Sequence, residues 1–219
     1  MPRFAAGVVK FQNEVFPEKK DLFEELSLGQ SPEALFITCS DSRIETAIIT
    51  QTAPGDLFIC RNAGNIVPPH TNTTGGMTAS IEFAVGVLHV PHIVICGHTE
   101  CGAMKGAMNR QGLSHLPHVQ EWLGFSMAAV NIVQATAGGR SPEEQMLLLL
   151  EQNVVLQLQH LKTHPTVAVA LAKRELTLHG WVYDIKTGGV KAYNEARSAF
   201  EPVDQRYASE IAAIMQHPA

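Results

Sequence analysis

EALFITC, residues 33–39, is the first of three short runs of almost uninterrupted apolar residues, and it is followed by DLFIC (56–60) and HIVICG (92–97). A strand with one solvent-exposed face alternates apolar and polar residues, whereas the strands of a parallel sheet are buried on both faces and show no alternation. The three runs therefore predict an α/β fold with a predominantly parallel β-sheet core.

The segments between and after these runs predict helices that flank the sheet. TTGGMTASIEFAVGVLHV (73–90) carries apolar residues at helical spacing, and it is long enough for the crossover that two parallel strands require. Further helices are expected over 101–109, over 117–136 and from Ser141 onward, where Ser141 and Glu144 form a capping box.

The two ends of the chain differ from this α/β pattern. Residues 1–29 show amphipathic helical spacing and predict an N-terminal helical arm, which would either cover its own domain or wrap around a partner chain. HGWVYDIKTGGVKAYN (179–194) predicts a C-terminal hairpin, because aromatic and β-branched residues flank a Thr-Gly-Gly turn. A length of 219 residues, 45% of them hydrophobic, favours a single domain over 1–219, with the α/β core at 30–219.

The charge pattern excludes several classes of partner. With 16 Lys and Arg against 21 Asp and Glu, the net charge is −5, and the scattered charges leave no basic face for nucleic acid or an anionic membrane. No run approaches the roughly 18 apolar residues of a membrane-spanning helix, and the polar N-terminus lacks the apolar region of a secretory signal. We therefore expect no nucleic-acid or membrane partner, and a cytoplasmic protein.

The cysteines and one histidine predict a metal site. Cys39 and His98 each follow a predicted parallel strand at its carboxyl end, where open α/β sheets bind ligands, so the fold would bring them together. Cys101 lies three residues after His98, which would place both side chains on one face of a first helical turn. Two thiols and one imidazole favour zinc, and three protein ligands leave a fourth position for water. Cys60 and Cys96 lie in apolar runs and are expected to be small buried hydrophobes.

Asp41 and Arg43 follow Cys39 at alternate positions. If the chain stays extended there, the three side chains point to the same side. A guanidinium beside a carboxylate favours a bidentate pair that keeps the carboxylate ionised. A salt bridge confined to a surface loop is the alternative. Because the pair lies two residues from a predicted metal ligand, we expect it to act at the metal site.

Five motifs occur in the order in which they occur in β-class carbonic anhydrases, and the chain resembles that family nearly from end to end. The motifs are CSDSR (39–43), RNAGNIVPP (61–69), GGMTASIEFAV (75–85), CGHTECGAMKG (96–106) and LTLHGWVYD (176–184). The resemblance implies a zinc lyase that hydrates carbon dioxide reversibly to bicarbonate and a proton by a zinc-bound hydroxide. It also implies one Zn²⁺ per chain and a homodimer or a dimer of dimers (a homotetramer) with exchanged N-terminal helices.

The resemblance further assigns roles to individual residues. Cys39, His98 and Cys101 would hold the zinc, Asp41 would orient the attacking hydroxide, and Arg43 would hold Asp41 in place. A second set would contact the substrate, through hydrogen bonds or an apolar wall, and comprises Gln30, Phe58, Ala63, Phe83 and Gly102. For the three apolar members of that set, ordinary core packing is an almost equally good interpretation.

One departure from the family concerns regulation. Members with an inhibitory bicarbonate pocket resemble one another in a tryptophan three residues before the first zinc cysteine, together with an arginine and a tyrosine. Arg61 and Tyr183 match that pattern, but Phe36 replaces the tryptophan and cannot donate a hydrogen bond. We therefore expect no allosteric inhibition by bicarbonate and a constitutively open site.

Three alternatives stay open at the level of the sequence. Asp41 would bind the zinc directly at low pH and exclude water, if the closed state of some family members applies here. The same zinc site would also suit an enzyme that hydrolyses carbonyl sulfide or carbon disulfide. A structural zinc module would need a fourth protein ligand to close the tetrahedron.

Overall fold

The centre of the molecule is a six-stranded sheet in a computed structural model that describes residues 1–216. The strands are β1 (Ala34–Cys39), β2 (Leu57–Asn62), β3 (His92–His98), β4 (Thr177–Tyr183), β5 (Val190–Asn194) and β6 (Ala199–Pro202). Their order is β2-β1-β3-β4-β5-β6. The first four run parallel to one another, and β5 and β6 pair antiparallel with their neighbours. The predicted α/β fold with a predominantly parallel sheet is therefore confirmed, while residues 217–219 of the predicted domain lie outside the described residues.

Helices cover both the connections and the ends of the chain. Among residues 1–216, the α-helices are α1 (Pro2–Lys10), α2 (Lys20–Leu26), α3 (Thr46–Thr50), α4 (Gly76–Gly86), α5 (Gly102–Met108), α6 (Pro117–Trp122), α7 (Met127–Thr136), α8 (Pro142–Lys162), α9 (Pro165–Ala172), α10 (Val203–Arg206) and α11 (Ala208–Gln216). The predicted continuous helix over 117–136 is wrong, because a 3₁₀ segment at Leu123–Ser126 separates α6 from α7. Gly124 lies in that segment, and glycine is a poor helix former.

The long helix α8 begins as the sequence predicts. Ser141 Oγ accepts a hydrogen bond from the Glu144 amide at 3.2 Å, and the Glu144 carboxylate accepts one from the Ser141 amide at 2.9 Å. The helix packs closely on β3 and β4. A Cβ added at Gly97 would lie 3.1 Å from the side chain of Val154, and one added at Gly180 would lie 2.8 Å from it. Glycine at these two strand positions therefore lets the helix approach the end of β3, where the site residues lie.

The C-terminal hairpin is confirmed and extends the main sheet. β4 pairs parallel with β3 on one side and antiparallel with β5 on the other, so the hairpin continues the parallel sheet instead of forming a separate unit. Neither β6 nor the helix α9 was predicted. Both are short, with 4 and 8 residues, and short elements depend most on tertiary packing.

The N-terminal arm is helical, as predicted, but its first helix is not covered by its own domain. A π-helical segment (Phe11–Val15) and a 3₁₀ segment (Pro17–Lys19) connect α1 to α2. No residue of α1 is buried, and Phe4 and Val8 are 70% and 56% exposed. Of the two predicted arrangements, the structure leaves the apolar face of α1 free for a partner chain. No helix within residues 1–216 combines the length and the apolar character that crossing a bilayer requires.

Candidate metal centre

The three predicted metal ligands converge at the carboxyl end of the sheet. Cys39 is the last residue of β1, and His98 is the last residue of the adjacent parallel strand β3. Cys101 precedes the first residue of α5. The donor atoms of the three residues all lie within 4.8 Å of one another, and the two sulfur atoms are 4.0 Å apart. All three residues are buried, so the cluster faces the protein interior more than solvent.

The connection between His98 and Cys101 differs from the predicted helical turn. His98 still belongs to β3, where it pairs with Tyr183, and the helix starts only at Gly102. Glu100 adopts a left-handed conformation with φ of 60°, which turns the chain sharply between strand and helix. The two ligands therefore meet through a tight turn, and the spacing argument based on a helix face was wrong about the local geometry.

The chemistry of the three side chains fits a zinc ion. Nδ1 of His98 lies 2.8 Å from the carbonyl oxygen of Thr99, which requires the proton on Nδ1 and leaves the lone pair on Nε2. His98 Nε2 is buried and has no hydrogen-bond partner among residues 1–216. A buried acceptor without a partner is costly, and a cation between Nε2 and the two sulfur atoms would satisfy it. Two cysteines and one histidine form a ligand set that zinc uses with an open fourth position.

The thiols of Cys39 and Cys101 contact one another, and the contact shifts their pKa values in opposite directions. Hydrogen bonding from Cys101 holds the pKa of Cys39 well below its usual range, with further lowering from His98 and the Gly64 amide. The same interaction, together with burial, raises the pKa of Cys101. A metal would bind both sulfur atoms as thiolates, because the thiolate is the ligand form of cysteine. By contrast, burial raises the pKa of Cys60, and that of Cys96 to about 12, which agrees with their predicted place in the core.

Asp41 and Arg43 form a bidentate pair beside the cluster. Arg43 Nε donates to Asp41 Oδ1 at 2.8 Å, and Arg43 Nη2 donates to Asp41 Oδ2 at 2.7 Å. The Arg43 amide also donates to Asp41 Oδ1 at 3.0 Å, so the chain turns here and is not extended as the sequence argument supposed. Hydrogen bonding from Arg43 holds the pKa of the Asp41 carboxyl well below its usual range. Because Asp41 Oδ2 lies 3.8 Å from His98 Nε2, the ionised carboxylate belongs to the cluster.

The predicted substrate contacts lie in four parts of the fold, and only Gly102 is adjacent in sequence to a residue of the cluster. The rings of Phe58, in β2, and Phe83, in α4, lie 6.0 Å apart, and Phe83 is 42% exposed. The carbonyl of Ala63 accepts a hydrogen bond from the Trp122 indole at 2.8 Å. Gly102 follows the ligand Cys101 directly and is exposed. Gln30 is exposed in the connection between α2 and β1. The roles of these residues stay predictions.

The residue Phe36, which replaces the regulatory tryptophan, is part of the core. It is 1% exposed, and its ring meets that of Trp181 edge-on at 6.0 Å. Arg61 donates to the carbonyl of Ile44 at 2.7 Å. The Phe36 side chain is thus occupied by aromatic packing and offers no hydrogen bond to an anion.

Sequence reasoning missed Gly64, whose backbone amide donates to Cys39 Sγ at 3.4 Å. Gly64 has φ of 87°, a conformation that favours glycine. An added Cβ would lie 2.9 Å from Met104 Cε and 3.1 Å from Ala103 Cβ. The available signal was the Ala-Gly-Asn sequence directly after β2, which is typical of a turn at the carboxyl end of a strand.

Comparison with known proteins places these features in a family. A family profile described as carbonic anhydrase matches residues 34–190. A carbonic anhydrase of Pseudomonas aeruginosa is 44% identical over 212 residues, which cover 97% of this chain and 95% of that protein. The structure of the β-carbonic anhydrase CcaA superposes with a TM-score of 0.90 at 40% identity, covering 92% of this chain and 98% of that one. One of two tetrameric β-carbonic anhydrases of Sordaria macrospora superposes with a TM-score of 0.67 at 34% identity, covering 87% of this chain and 92% of that one.

Proposed function

The chain belongs to the carbonic anhydrase family as a β-class member, and from that premise we propose that it is a zinc enzyme that hydrates carbon dioxide reversibly to bicarbonate and a proton. The observation that carries the proposal is the buried cluster of Cys39, His98 and Cys101, in which His98 Nε2 has no hydrogen-bond partner within the described part of the chain. An ionised carboxylate, Asp41, lies next to that nitrogen.

The cluster would hold zinc by two thiolates and one neutral imidazole. When bound, zinc supplies a Lewis acid that lowers the pKa of a coordinated water, so that a nucleophile for carbon dioxide is available near neutral pH. Two thiolates offset the formal charge of the ion, so neighbouring groups have to contribute more to catalysis than in a site of three imidazoles. Asp41 is the charged group nearest to the ligand His98 that can do so.

Asp41 would orient the nucleophile by accepting a hydrogen bond from it. Oδ1 of Asp41 accepts from both Nε and the amide of Arg43, whereas Oδ2 accepts from Arg43 Nη2 alone, so the plane of the carboxylate is fixed and Oδ2 keeps a lone pair on the side of His98. Arg43 Nη2 also donates to the Glu100 carbonyl at 3.1 Å, so the dyad is attached to the turn that carries Cys101. Because Arg43 already engages both oxygens of Asp41, this arrangement supports the open state over direct ligation of zinc by Asp41.

Two kinds of contact with the substrate are proposed, hydrogen bonds and an apolar wall. We propose that the Gly102 amide and Gln30 donate to an oxygen of carbon dioxide or bicarbonate, where charge develops during the reaction. Phe58, Ala63 and Phe83 would supply an apolar wall for the uncharged substrate. The exposed face of Phe83 supports this role, because a residue that served only the core would be covered.

We further propose a homodimer or a dimer of dimers, in one domain per chain and in the cytoplasm. The exposed apolar residues of α1 support association through the arm, since apolar surface of this kind is stabilised by burial. The tetrameric β-carbonic anhydrases of Sordaria macrospora support the same type of assembly. The net charge of −5 gives no support to a nucleic-acid partner.

Stopped-flow hydration of carbon dioxide, with metal content measured on the same samples, tests the proposal. The wild-type protein is expected to contain zinc and to be active. Asp41→Asn is expected to keep its zinc and to lose activity by about 10²–10³-fold, the range typical of losing one fixed hydrogen bond to the reacting group. Asp204→Asn, which changes an exposed carboxylate on α10, is the matched control and should behave as the wild type. A zinc-loaded wild-type protein without hydration activity would reject the proposed function.

A further inference from the structure

Two amide side chains lie in the apolar core beneath the metal centre. Asn153 and Gln157 are four residues apart on α8 and are 1% and 0% exposed. Burying an amide costs free energy unless its donors and acceptors are paired. Leucine at either position would avoid that cost. The groups to which the two amides are hydrogen-bonded therefore indicate which part of the structure the amides hold in place.

Asn153 binds the loop that follows β2. Its Nδ2 donates to the carbonyl of Gly64 at 3.1 Å. Its Oδ1 accepts from Ser126 Oγ at 2.8 Å and from Gln157 Nε2 at 2.9 Å. Because two donors converge on Oδ1, the amide cannot turn over, and Nδ2 is fixed toward Gly64.

Gln157 binds the same loop three residues further on. Its Oε1 accepts from the Val67 amide at 2.9 Å and lies 3.1 Å from His160 Nδ1. His160 Nδ1 also lies 2.7 Å from the Val67 carbonyl, so this nitrogen faces two acceptors and carries the proton. One helix therefore holds the loop at both Gly64 and Val67.

The loop in turn contacts the metal ligand Cys39. The Gly64 amide donates to Cys39 Sγ at 3.4 Å, and the Gly64 α-carbon packs against the helix that starts after Cys101. An N–H group that donates to a thiolate withdraws electron density from the sulfur and fixes its position, and such contacts tune both metal affinity and reactivity. Asn153 holds the peptide on one side of Gly64, while the peptide on the other side makes the bond to sulfur.

We propose that Asn153 is a positioning residue for the zinc ligand Cys39, with Gly64 as the intermediate and Gln157 as the second attachment of the loop. The inference rests on the proposed zinc site and extends it into α8. Without the Asn153 bond, the Gly64 amide leaves Cys39 Sγ. The sulfur then becomes a stronger electron donor that is less well fixed in space.

The test uses the full-length protein with Co²⁺ in place of zinc. Asn153→Leu removes the amide at similar size, and Leu161→Ala is the matched control, because Leu161 is equally buried on α8. The sulfur-to-cobalt charge-transfer band of Asn153→Leu should move to longer wavelength, since the sulfur holds its electrons less tightly. Competition with a chelator should show a metal dissociation constant raised about tenfold to hundredfold, because the loss of a fixed sulfur position outweighs the gain in donor strength. Leu161→Ala should lose thermal stability but keep the wild-type band and dissociation constant.

A second variant keeps the test decisive if Asn153→Leu does not fold. Gln157→Met removes the acceptor for Val67 and one donor to Asn153, and a smaller shift of the same sign is expected. A folded Asn153→Leu protein with the wild-type band and dissociation constant would overturn the inference. If Asn153→Leu does not fold, a Gln157→Met protein with the wild-type band and dissociation constant would overturn the inference. A Leu161→Ala protein whose band shifts as far as that of the amide variant would also overturn it. A wild-type protein that binds neither zinc nor cobalt would instead overturn the proposed function, and this inference with it.

Discussion

Replacing Gly64 by alanine tests whether the loop after β2 is as tightly constrained as its contacts indicate. The residue has φ of 87°, and an alanine Cβ there would lie 2.9 Å from Met104 Cε and 3.1 Å from Ala103 Cβ. Met104 is fully buried, so its side chain has little free space in which to move. Both the backbone and the packing therefore oppose the substitution.

The expected loss of stability follows from these two contributions. A left-handed backbone costs an alanine about 1–2 kcal/mol, and overpacking of a dense core typically costs about 1–3 kcal/mol. The free energy of unfolding should then fall by roughly 2–5 kcal/mol. In a protein of this size the unfolding midpoint should fall by roughly 4–20 °C, since about 1 kcal/mol corresponds to about 2–4 °C. Metal content should also fall, because the Gly64 amide would be displaced from Cys39 Sγ.

Thermal unfolding at one fixed protein concentration, followed by circular dichroism, measures the loss. Gly76→Ala is the matched control, since Gly76 is the first residue of α4, needs no left-handed backbone and would place its Cβ in open space. That control should change the free energy of unfolding by no more than about 1 kcal/mol. If Gly64→Ala unfolds at the same midpoint as Gly76→Ala and retains its full metal content, the geometric argument is incorrect.

Three further predictions concern the dyad, the metal and the arm. Arg43 depresses the pKa of Asp41 in the folded state, so the pair adds stability that is present above the unfolded value of about 3.9 and is lost as the pH falls below it. Denaturation at a series of acidic pH values should accordingly show a shallower loss of stability in Arg43→Met than in the wild type, and parallel curves would contradict this. Incubation with dipicolinate should abolish carbon dioxide hydration and added Zn²⁺ should restore it, whereas Cys101→Ser should not recover, because one of three ligands is gone. Phe4→Glu combined with Val8→Glu should give a smaller species in sedimentation than the charge-altering control Lys19→Glu, and unchanged assembly would show that α1 is not an interface.

The sequence predicts the parallel sheet because burial on both faces leaves a local signal. Five of the six residues of EALFITC (33–39) that form β1 are less than 6% exposed, and the sixth, Ala34, is 8% exposed. The convergence of Cys39 and His98 follows from the topology alone, since adjacent parallel strands end at the same edge. Gly124 is only a weak signal for the break at Leu123–Ser126, and both the break and the turn at Glu100 make contacts distant in sequence, from Ser126 to Asn153 and from Glu100 to Arg43.

The dyad illustrates how a correct pairing can be predicted from an incorrect geometry. Opposite charges two residues apart attract one another in either an extended or a turned chain, so the pairing of Asp41 with Arg43 does not depend on the backbone. The backbone does determine where the pair lies. The Arg43 amide folds back onto Asp41 Oδ1 at 3.0 Å, and this turn leaves Asp41 Oδ2 3.8 Å from His98 Nε2. Sequence spacing indicates the ion pair, and only the fold indicates which ligand atom it faces.

The amides of α8 show why residues that support a ligand are harder to recognise than the ligands. Gln157 is fully buried, yet Gln159, two positions later on the same helix, is exposed. The two glutamines are identical in chemistry, and in the sequence Gln157 differs only in lying on the apolar side of the helix. The role of Gln157 becomes interpretable once the loop after β2 supplies the Val67 amide as its partner. Cysteine and histidine are recognisable from the sequence because few other side chains bind zinc, whereas an amide acquires its role from the group it faces.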